Sequence, residues 1–567
     1  MKKLIILLNL LLVGELCQAL PVDVQKAQKV AQKVLKGQVT LRADMGEMEA
    51  KRRGEAHATL NAPAYYIFSR EEGKGFAIIS GESELPSLVA YSRASEFSSV
   101  DDLHPGLADF LDAYTALVND VREGKSVSYA PRKEEGIPVV GPLCQTQWNQ
   151  GAPYNVLCPM DGNKRCPVGC VALAMAQIMK HYEWPKVGTG KMTYTPGLTG
   201  VGALSVDFSQ SHYDWDAMLN TTSELNANET AAAAVAKLCY DCGVATKMGY
   251  TAASSGTYDD FAIQAMYEFF GYKASTIGIV YRDCYATQEE WDRIWKTELD
   301  AGRPILYAGA STSGGHEFVV DGYDSNDFVH VNWGWGGKSD GFFDVTLLNA
   351  SPAQSYTQGQ SMIIGIEPDE TGEDKVHAPV VPFMDTSLTL TGSLDLNKNK
   401  MLIVQKIANR SRSAQTWFFG VGLYDLNGNL VKKLTENEVS KTINSMTYMG
   451  GTATVRFNIP ADTPEGNYII SLIFRPKDYD EWLLPNVVGG AAQNMVYTEI
   501  KDGKATFGEI PASIYNICVE EGAGSATVVS HEYFDMSGRP LQNVTRGFVI
   551  DRQTLSNGKK IVVKRRF

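Results

Sequence analysis

The chain has 567 residues, of which 44% are hydrophobic, 21% charged and 10% aromatic, a composition typical of folded protein. Its length is more than one hydrophobic core supports, so we expect three or more domains. The net charge of -13 argues against a nucleic-acid partner and favours a soluble surface.

The N-terminus reads MKKLIILLNLLLVGELCQALP, in which two lysines precede an apolar stretch that ends at Cys17-Gln18-Ala19. This pattern predicts a secretory signal peptide over residues 1–19, and therefore a secreted or cell-surface protein. No later stretch holds about 18 uninterrupted apolar residues, so we expect no membrane span in the mature protein.

Residues 20–135 combine a polar helix, strand-like runs such as AYYIFS and GFAIIS, and the amphipathic helix LADFLDAYTALVNDVREG. The connector SVSYAPRKEEGIP then breaks the pattern with prolines on either side of Arg132 and Lys133. We interpret it as a linker and a processing site.

Residues 136–368 read as helices followed by strands, which is the pattern of an α+β domain with an antiparallel sheet. Beyond residue 378 the pattern is almost entirely strand, with a hairpin turn predicted at Asn427-Gly428. We expect a β-sandwich of the Ig-like type over 378–500 and a β-rich terminal domain over 501–567.

The chain contains nine cysteines, and export would permit disulfides. Cys158 and Cys166 bracket a short polar loop and are either bridged or free. Cys239 and Cys242 end a helix, where the dipole disfavours a thiolate, so we expect buried thiols or a structural bridge and no redox pair. No second pair lies at zinc-ligand spacing, and we predict neither a metal nor a cofactor.

Cys170 opens the run CVALAMAQIMKHY after Pro167 and Gly169, and this helix should end near Trp184-Pro185. Unpaired N–H groups and the dipole of the first turn favour a thiolate there. The alternative is an ordinary buried cysteine.

The segment GGHEFVVDGYDSNDFVHVNWGWGG predicts two strands joined by a turn near Asp324, which would place His316 opposite Asn332. A base oriented by an amide, with a thiol elsewhere in the chain, is the arrangement of cysteine catalysis. His330 is the rival base, because it shares the strand face of Asn332. Upstream, Gln150 in WNQGAPYN is a candidate donor to an oxyanion.

The blocks NQGAPYN, GCVALAMAQIMKHYEWP, GGHEFVVDGY and HVNWGWGGKSDGFF together resemble the streptopain family, papain-like cysteine peptidases secreted by bacteria. The upstream strands resemble the inhibitory propeptide of that family. The resemblance implies an α+β fold with a papain-like two-part catalytic domain over 136–368, an α+β propeptide over 20–135 and C-terminal β-sandwich-type domains.

The same resemblance implies a role for each matching residue. Cys170 would be the nucleophile, His316 the base and Gln150 part of the oxyanion hole, while Asn332 and Trp333 would hold the imidazole. The substrate cleft would be bordered by Gly315 and by the loop residues Tyr250, Ser254, Ser255 and Gly256. The partners would be protein or peptide substrates and the chain's own propeptide, with reducing conditions keeping the thiol active.

The closing segment YFDMSGRPL…GFVI…GKKIVVK is similar to C-terminal sorting domains of Bacteroidetes, or is a plain β-domain. We therefore predict a secreted cysteine endopeptidase made as a zymogen. The alternatives are an adhesin that keeps a peptidase fold, alone or in addition to peptidase activity, and an enzyme that transfers amides through the same thiol chemistry.

Overall fold

The computed structural model describes thirteen segments and three further strands; for the three strands and for residues 44, 310, 311 and 314 it describes the backbone. The segments are 21–44, 63–97, 103–125, 136–198, 200–285, 288–311, 314–346, 360–374, 379–411, 413–426, 429–435, 437–488 and 494–508, and the strands are Val528–Phe534, Phe548–Leu555 and Lys560–Arg566. The predicted signal peptide, the Arg132-Lys133 linker and the Asn427-Gly428 turn lie outside the described residues.

The described α-helices lie in the first two-thirds of the chain. Their bounds are Val24–Leu35, Pro105–Arg122, Cys170–Tyr182, Thr222–Asn226, Glu229–Ala245, Asp259–Phe269 and Gln288–Asp300. Short 3-10 turns occur at Phe208–Gln210 and Arg282–Cys284. Within the described residues, none of these helices combines the length and the apolarity needed to cross a bilayer.

One large sheet connects the N-terminal segment with the region that carries His316. In spatial order its strands are Val39–Asp44, Tyr65–Arg70, Phe76–Ser80, Leu88–Ser92, Gly341–Phe343, Val329–Asn332, Gly314–Asp324, Ile305–Ser311, Ser361–Ile364 and Gly278–Tyr281, and Pro138–Val140 also pairs with Gly314–Asp324. Leu88–Ser92 pairs antiparallel with Gly341–Phe343, Tyr91 opposite Phe342. The sheet is therefore continuous across the predicted boundary at 135/136.

The Cys170–Tyr182 helix is the centre of the core beside this sheet. Residues 171–179 are all buried, because all but Gln177 are small or apolar and Gln177 accepts a hydrogen bond from buried Thr146 at 3.0 Å. The helix ends at Glu183 in the left-handed region, with φ 50, directly before Trp184-Pro185. Both the start and the end predicted from sequence are confirmed.

Three two-stranded ribbons accompany the core. They pair Met160–Asp161 with Lys164–Arg165, Lys191–Tyr194 with Leu204–Asp207, and Gly249–Tyr250 with Ser255–Gly256. This α+β architecture agrees with the predicted fold class.

A second compact unit begins at Pro379 and, in the described residues, consists of strands. A core of apolar side chains that includes Leu402, Val455, Trp417 and Phe474 is shared by two sheets, as in a sandwich. The strands are Phe383–Met384, Thr389–Gly392, Lys400–Gln405, Ile407–Asn409, Gln415–Tyr424, Leu430–Lys433, Val439–Ile443, Thr447–Tyr448, Thr452–Phe457, Gly466–Pro476, Asn486–Val487, Val496–Lys501 and Lys504–Gly508, and the three strands after 528 form their own sheet.

Candidate active site

Cys170 is the first residue of its helix and is partly exposed. Gly169 precedes it with φ 93, a conformation that suits glycine, and a Cβ on Gly169 would lie 2.6 Å from the Met248 sulfur. Burial raises the pKa of the Cys170 thiol above its usual value. Backbone N–H groups of Glu317 and Val171 donate towards the sulfur and lower the pKa by a smaller amount.

A narrow pocket adjoins the Cys170 thiol. It is lined by Gln150, Cys170, Leu173, Ala174, Gln177, Glu317, Phe318, Asn332, Trp333 and Gly334. The Gln150 carbonyl accepts from Val168 N at 3.0 Å, which fixes the Gln150 backbone beside the start of the helix. Three of the five residues predicted for catalysis therefore share one pocket with the thiol: Gln150, Asn332 and Trp333.

His316 is not among the residues that line this pocket. Its ring is buried and lies near-parallel to Trp333, with centroids 6.5 Å apart. His316 Nε2 lies 3.3 Å from the Trp333 carbonyl oxygen, to which it donates in the tautomer that carries a proton there. The imidazole therefore contacts both the ring and the carbonyl of Trp333, and its Nε2 faces that carbonyl.

The predicted pairing of His316 with Asn332 is wrong. Asn332 pairs with Val319, and His316 pairs with Gly309 on the other neighbouring strand. The turn lies later in the chain than expected. The Asp324 carboxylate accepts from the backbone N–H groups of Asn326 and Phe328, which places the turn after Asp324. A bulge also interrupts the strand pairing between residues 320 and 322. Asn332 uses its amide for the backbone, donating to Thr146 O at 2.7 Å.

The N-terminal domain places a helix end against His316. His104 caps the Pro105–Arg122 helix by accepting from Leu107 N at 3.1 Å, and its ring lies 6.4 Å from the His316 ring and 5.0 Å from that of Trp333. A Cβ on Gly106 would lie 2.5 Å from His316 Cδ2, so the helix backbone itself touches the imidazole. Sequence reasoning missed His104 and Gly106, since neither stands in a catalytic motif.

Burial shifts the pKa of each member of the predicted catalytic pair towards its neutral form. Burial lowers the pKa of His316 to about 4, although the Trp333 carbonyl and Asp109 raise it in part. Burial also lowers the pKa of His104, and neighbouring His316 adds to that shift. With a neutral imidazole and a thiol of raised pKa, the described state does not favour a thiolate–imidazolium pair.

The residues predicted to border the substrate cleft surround the start of the helix without lining the pocket of the thiol. Ser255 O would meet a Cβ on Gly169 at 3.1 Å, so the ribbon of Ser255 and Gly256 touches the turn before Cys170. Ser254, Gly256 and Gly315 are exposed. Tyr250 is buried, with its hydroxyl 4.0 Å from Cys158 Sγ.

The rival base His330 has a structural environment. Its Nδ1 lies 2.6 Å from the Asp321 carboxylate, and it does not line the pocket of Cys170. The Asp321 carboxylate also accepts from the backbone N–H of Cys144, so this hydrogen bond connects the strand Gly314–Asp324 with the segment that precedes the Cys170 helix. The hydrogen bond to Asp321 gives the His330 ring a structural partner, and neither His330 nor His316 lines the pocket of Cys170.

The other buried cysteines of the described residues are free thiols. Cys158 and Cys166 are buried and unbridged, which decides the alternatives that their spacing left open. Cys239 and Cys242 are buried in the Glu229–Ala245 helix, and burial raises their pKa well above the usual value, as expected for structural thiols.

A thiol at the start of a buried helix, beside a strand histidine held by an N-terminal domain, is the construction of a papain-like cysteine peptidase with its propeptide attached. The profile of the peptidase C10 family matches residues 148–343, and that of the Spi protease inhibitor matches residues 19–118. Streptopain of Streptococcus pyogenes is 32% identical over 335 residues, which cover 54% of this chain and 82% of streptopain. The chain belongs to the peptidase C10 family.

Further relatives come from other bacteria. The thiol protease/hemagglutinin PrtT of Porphyromonas gingivalis is 29% identical over 523 residues, and the chain spans 57% of that protein's length. A solved fragment of prointerpain A of Prevotella intermedia is 32% identical, with 55% of this chain and 98% of the fragment covered and a TM-score of 0.48. The active interpain A cysteine protease of Prevotella intermedia is 36% identical; the match covers 40% of this chain and 95% of the interpain A chain, with a TM-score of 0.37.

Proposed function

We propose that the chain is the precursor of a secreted cysteine endopeptidase that hydrolyses proteins, with Cys170 as nucleophile and His316 as base. The observation that carries the proposal is the Cys170 thiol at the first turn of its helix, in one pocket with Gln150 and with two backbone N–H groups directed at the sulfur. Such a position stabilises a thiolate once the site is open to solvent.

In the active enzyme the imidazole of His316 turns from the Trp333 carbonyl to the thiol. The pair then exists as thiolate and imidazolium, because loss of the N-terminal domain exposes His316 and lets its pKa rise towards 6.5. Cys170 Sγ attacks the scissile carbonyl, and Gln150 with the Cys170 N–H donates to the oxyanion. His316 protonates the leaving amine, and then as base it activates the water that hydrolyses the thioester.

Asn332 acts on His316 indirectly in this proposal. Its amide donates to Thr146 O and accepts from Gly334 N at 3.0 Å, so it fixes the strand end and the segment around Trp333 against which the imidazole packs. The loop residues Tyr250, Ser254, Ser255 and Gly256, together with Gly315, remain our proposal for the border of the substrate cleft.

Residues 20–135 act as the intramolecular inhibitor, and the linker around Arg132-Lys133 is the site that must be cut. Residues 1–19 direct export, and residues 501–567 are proposed as a sorting-type domain after the 378–500 sandwich. Deleting 501–567 should then change where the protein resides while leaving proteolysis by the released enzyme unchanged.

The test compares the full chain with its Cys170→Ala variant on casein under mild reductant. The wild type should shorten itself near Lys133 and digest casein, while the variant stays full length and inert. Digestion by the variant at the wild-type rate would remove Cys170 from the mechanism. Mass spectra of the products would show new peptide termini for hydrolysis and joined peptides for amide transfer.

A further inference from the structure

Glu317 follows the proposed catalytic base in the chain and is buried beside the nucleophile. Its backbone N–H donates towards the Cys170 sulfur, the residue is among those that line the pocket of the thiol, and it is 2% exposed. Adjacent strand residues point to opposite faces, so the Glu317 carboxyl lies on the other side of the strand from the His316 ring.

Apart from the carboxyl of Asp259, with which it shares a hydrogen bond when one of the two is protonated, the Glu317 carboxyl has no hydrogen-bond donor among the described residues. The nearby carboxyl of Asp259 can share a proton with it but brings no positive charge, and Asp259 itself accepts from Ser361 Oγ at 2.8 Å. Burial raises the pKa of Glu317 well above its usual value, and Asp259 and Cys170 raise it further. Among the described residues, no Lys or Arg contributes to the pKa of either carboxyl.

A buried pair of carboxyls without a cation is costly, and such a group in a folded protein needs an explanation, for example a catalytic role or a ligand that completes it. A cation that enters from the cleft would complete this pair. The described residues contain no cluster of three or more His, Cys, Asp or Glu arranged to hold a metal ion. A cationic side chain of the polypeptide substrate fits the position, because the carboxyl adjoins the thiol that attacks the scissile bond.

We propose that Glu317 and Asp259 form an acidic subsite that binds an Arg or Lys side chain at one of the two substrate residues on the acyl side of the scissile bond. His316 would protonate the leaving amine on its own face of the strand. The part of the substrate on the acyl side of the scissile bond would then bind on the opposite face, where Glu317 lies. The inference rests on the proposed function. The linker that must be cut carries its own basic pair, Arg132-Lys133.

The experiment measures kcat/KM of the processed enzyme on matched fluorogenic peptides. At each of the two acyl-side positions the peptides carry Arg, Lys, Gln or Leu. The variants are Glu317→Gln, which keeps the shape and removes the charge, and Asp259→Asn. Glu229→Gln removes an exposed carboxylate from another helix and serves as the matched control.

The wild type and Glu229→Gln should prefer a basic residue over Leu by about tenfold or more at one position, since desolvated charge recognition discriminates strongly. Glu317→Gln should abolish that preference, measured as the ratio of kcat/KM on the Arg or Lys peptide to kcat/KM on the Leu peptide. Comparing Arg with Lys shows which cation the pair binds better.

A wild type without basic preference at either position would overturn the inference, as would a preference that survives in Glu317→Gln. If a melting curve shows that Glu317→Gln is unfolded, an unchanged preference in Asp259→Asn would overturn it instead. Failure of the proposed function is a separate result, namely full digestion of the same peptides by Cys170→Ala.

Discussion

Gly106 in the N-terminal domain is the residue where one added methyl group should release the inhibition. A Cβ at this position would lie 2.5 Å from His316 Cδ2 and 2.9 Å from two ring carbons of Trp333. Ordinary carbon contacts are about 3.5–4.0 Å, so Gly106→Ala overlaps the imidazole by about 1 Å. The helix end cannot keep its present contact with His316 when this methyl is present.

Overpacking of this kind costs about 1–3 kcal/mol. Alanine recovers about 0.5–1 kcal/mol of helix propensity, which reduces the net effect. The net cost is then about 0–2.5 kcal/mol, and at tenfold for each 1.4 kcal/mol the undocked fraction of the N-terminal domain should rise by up to about sixtyfold. His316 then becomes free to meet Cys170 in a larger fraction of the uncut molecules.

The assay follows alkylation of Cys170 in the full-length chain by mass spectrometry of its peptide, together with the half-time of self-processing. Gly37→Ala is the control, because a Cβ there would meet nothing closer than the Arg70 side chain at 3.6 Å. Faster alkylation and processing in Gly106→Ala alone is the expected result. Equal rates in wild type and Gly106→Ala would refute the view that the helix end restrains His316.

Three further predictions concern the same precursor. His316, with its pKa lowered to about 4, and His104 stay neutral when folded but titrate near 6.5 when unfolded. The unfolded state therefore binds extra protons below pH 6.5, and the melting temperature of the precursor should fall between pH 6.5 and about pH 4. The His104→Asn variant keeps a capping acceptor, and its melting temperature should fall less over the same range. An equal fall in wild type and variant would contradict this reasoning. Asn332→Ala leaves two buried backbone groups unpaired. The variant should lose about 1–3 kcal/mol of unfolding free energy and should also turn over substrate more slowly. Unchanged turnover in a folded variant would remove Asn332 from the mechanism. Tyr91→Phe loses the 2.8 Å bond to Asp324 and should speed self-processing, measured on a gel, whereas an unchanged half-time would show that this bond does not hold the domain.

The local pattern of the sequence was enough to predict the helix that carries Cys170. Mostly small and apolar residues follow Pro167 and Gly169, and the predicted end near Trp184-Pro185 agrees with the helix, which ends at Tyr182. The order of helices and strands in the α+β domain follows from periodicity in the same way, because the spacing of apolar residues within each element reflects which of its faces is buried.

The relation between distant elements depended on tertiary structure. The turn after Asp324 and the bulge near residue 320 displaced the predicted partner of His316, because register is set by turn geometry and not by counting from an assumed centre. The approach of Gly106 to His316 and of Asp259 to Glu317 joins segments far apart in the chain, and no local pattern records such contacts.

The sequence by itself determined which residues are available for thiol chemistry, since a cysteine at a helix start and a histidine in a glycine-flanked strand are local features. The tertiary structure alone decided the state of those residues. Packing of the N-terminal helix end buries His316, lowers its pKa and turns it to the Trp333 carbonyl. The burial of a residue and its charged neighbours are properties of the assembled fold. The protonation states of Cys170 and His316, and the charge of the carboxyls near the thiol, therefore depend on the tertiary structure.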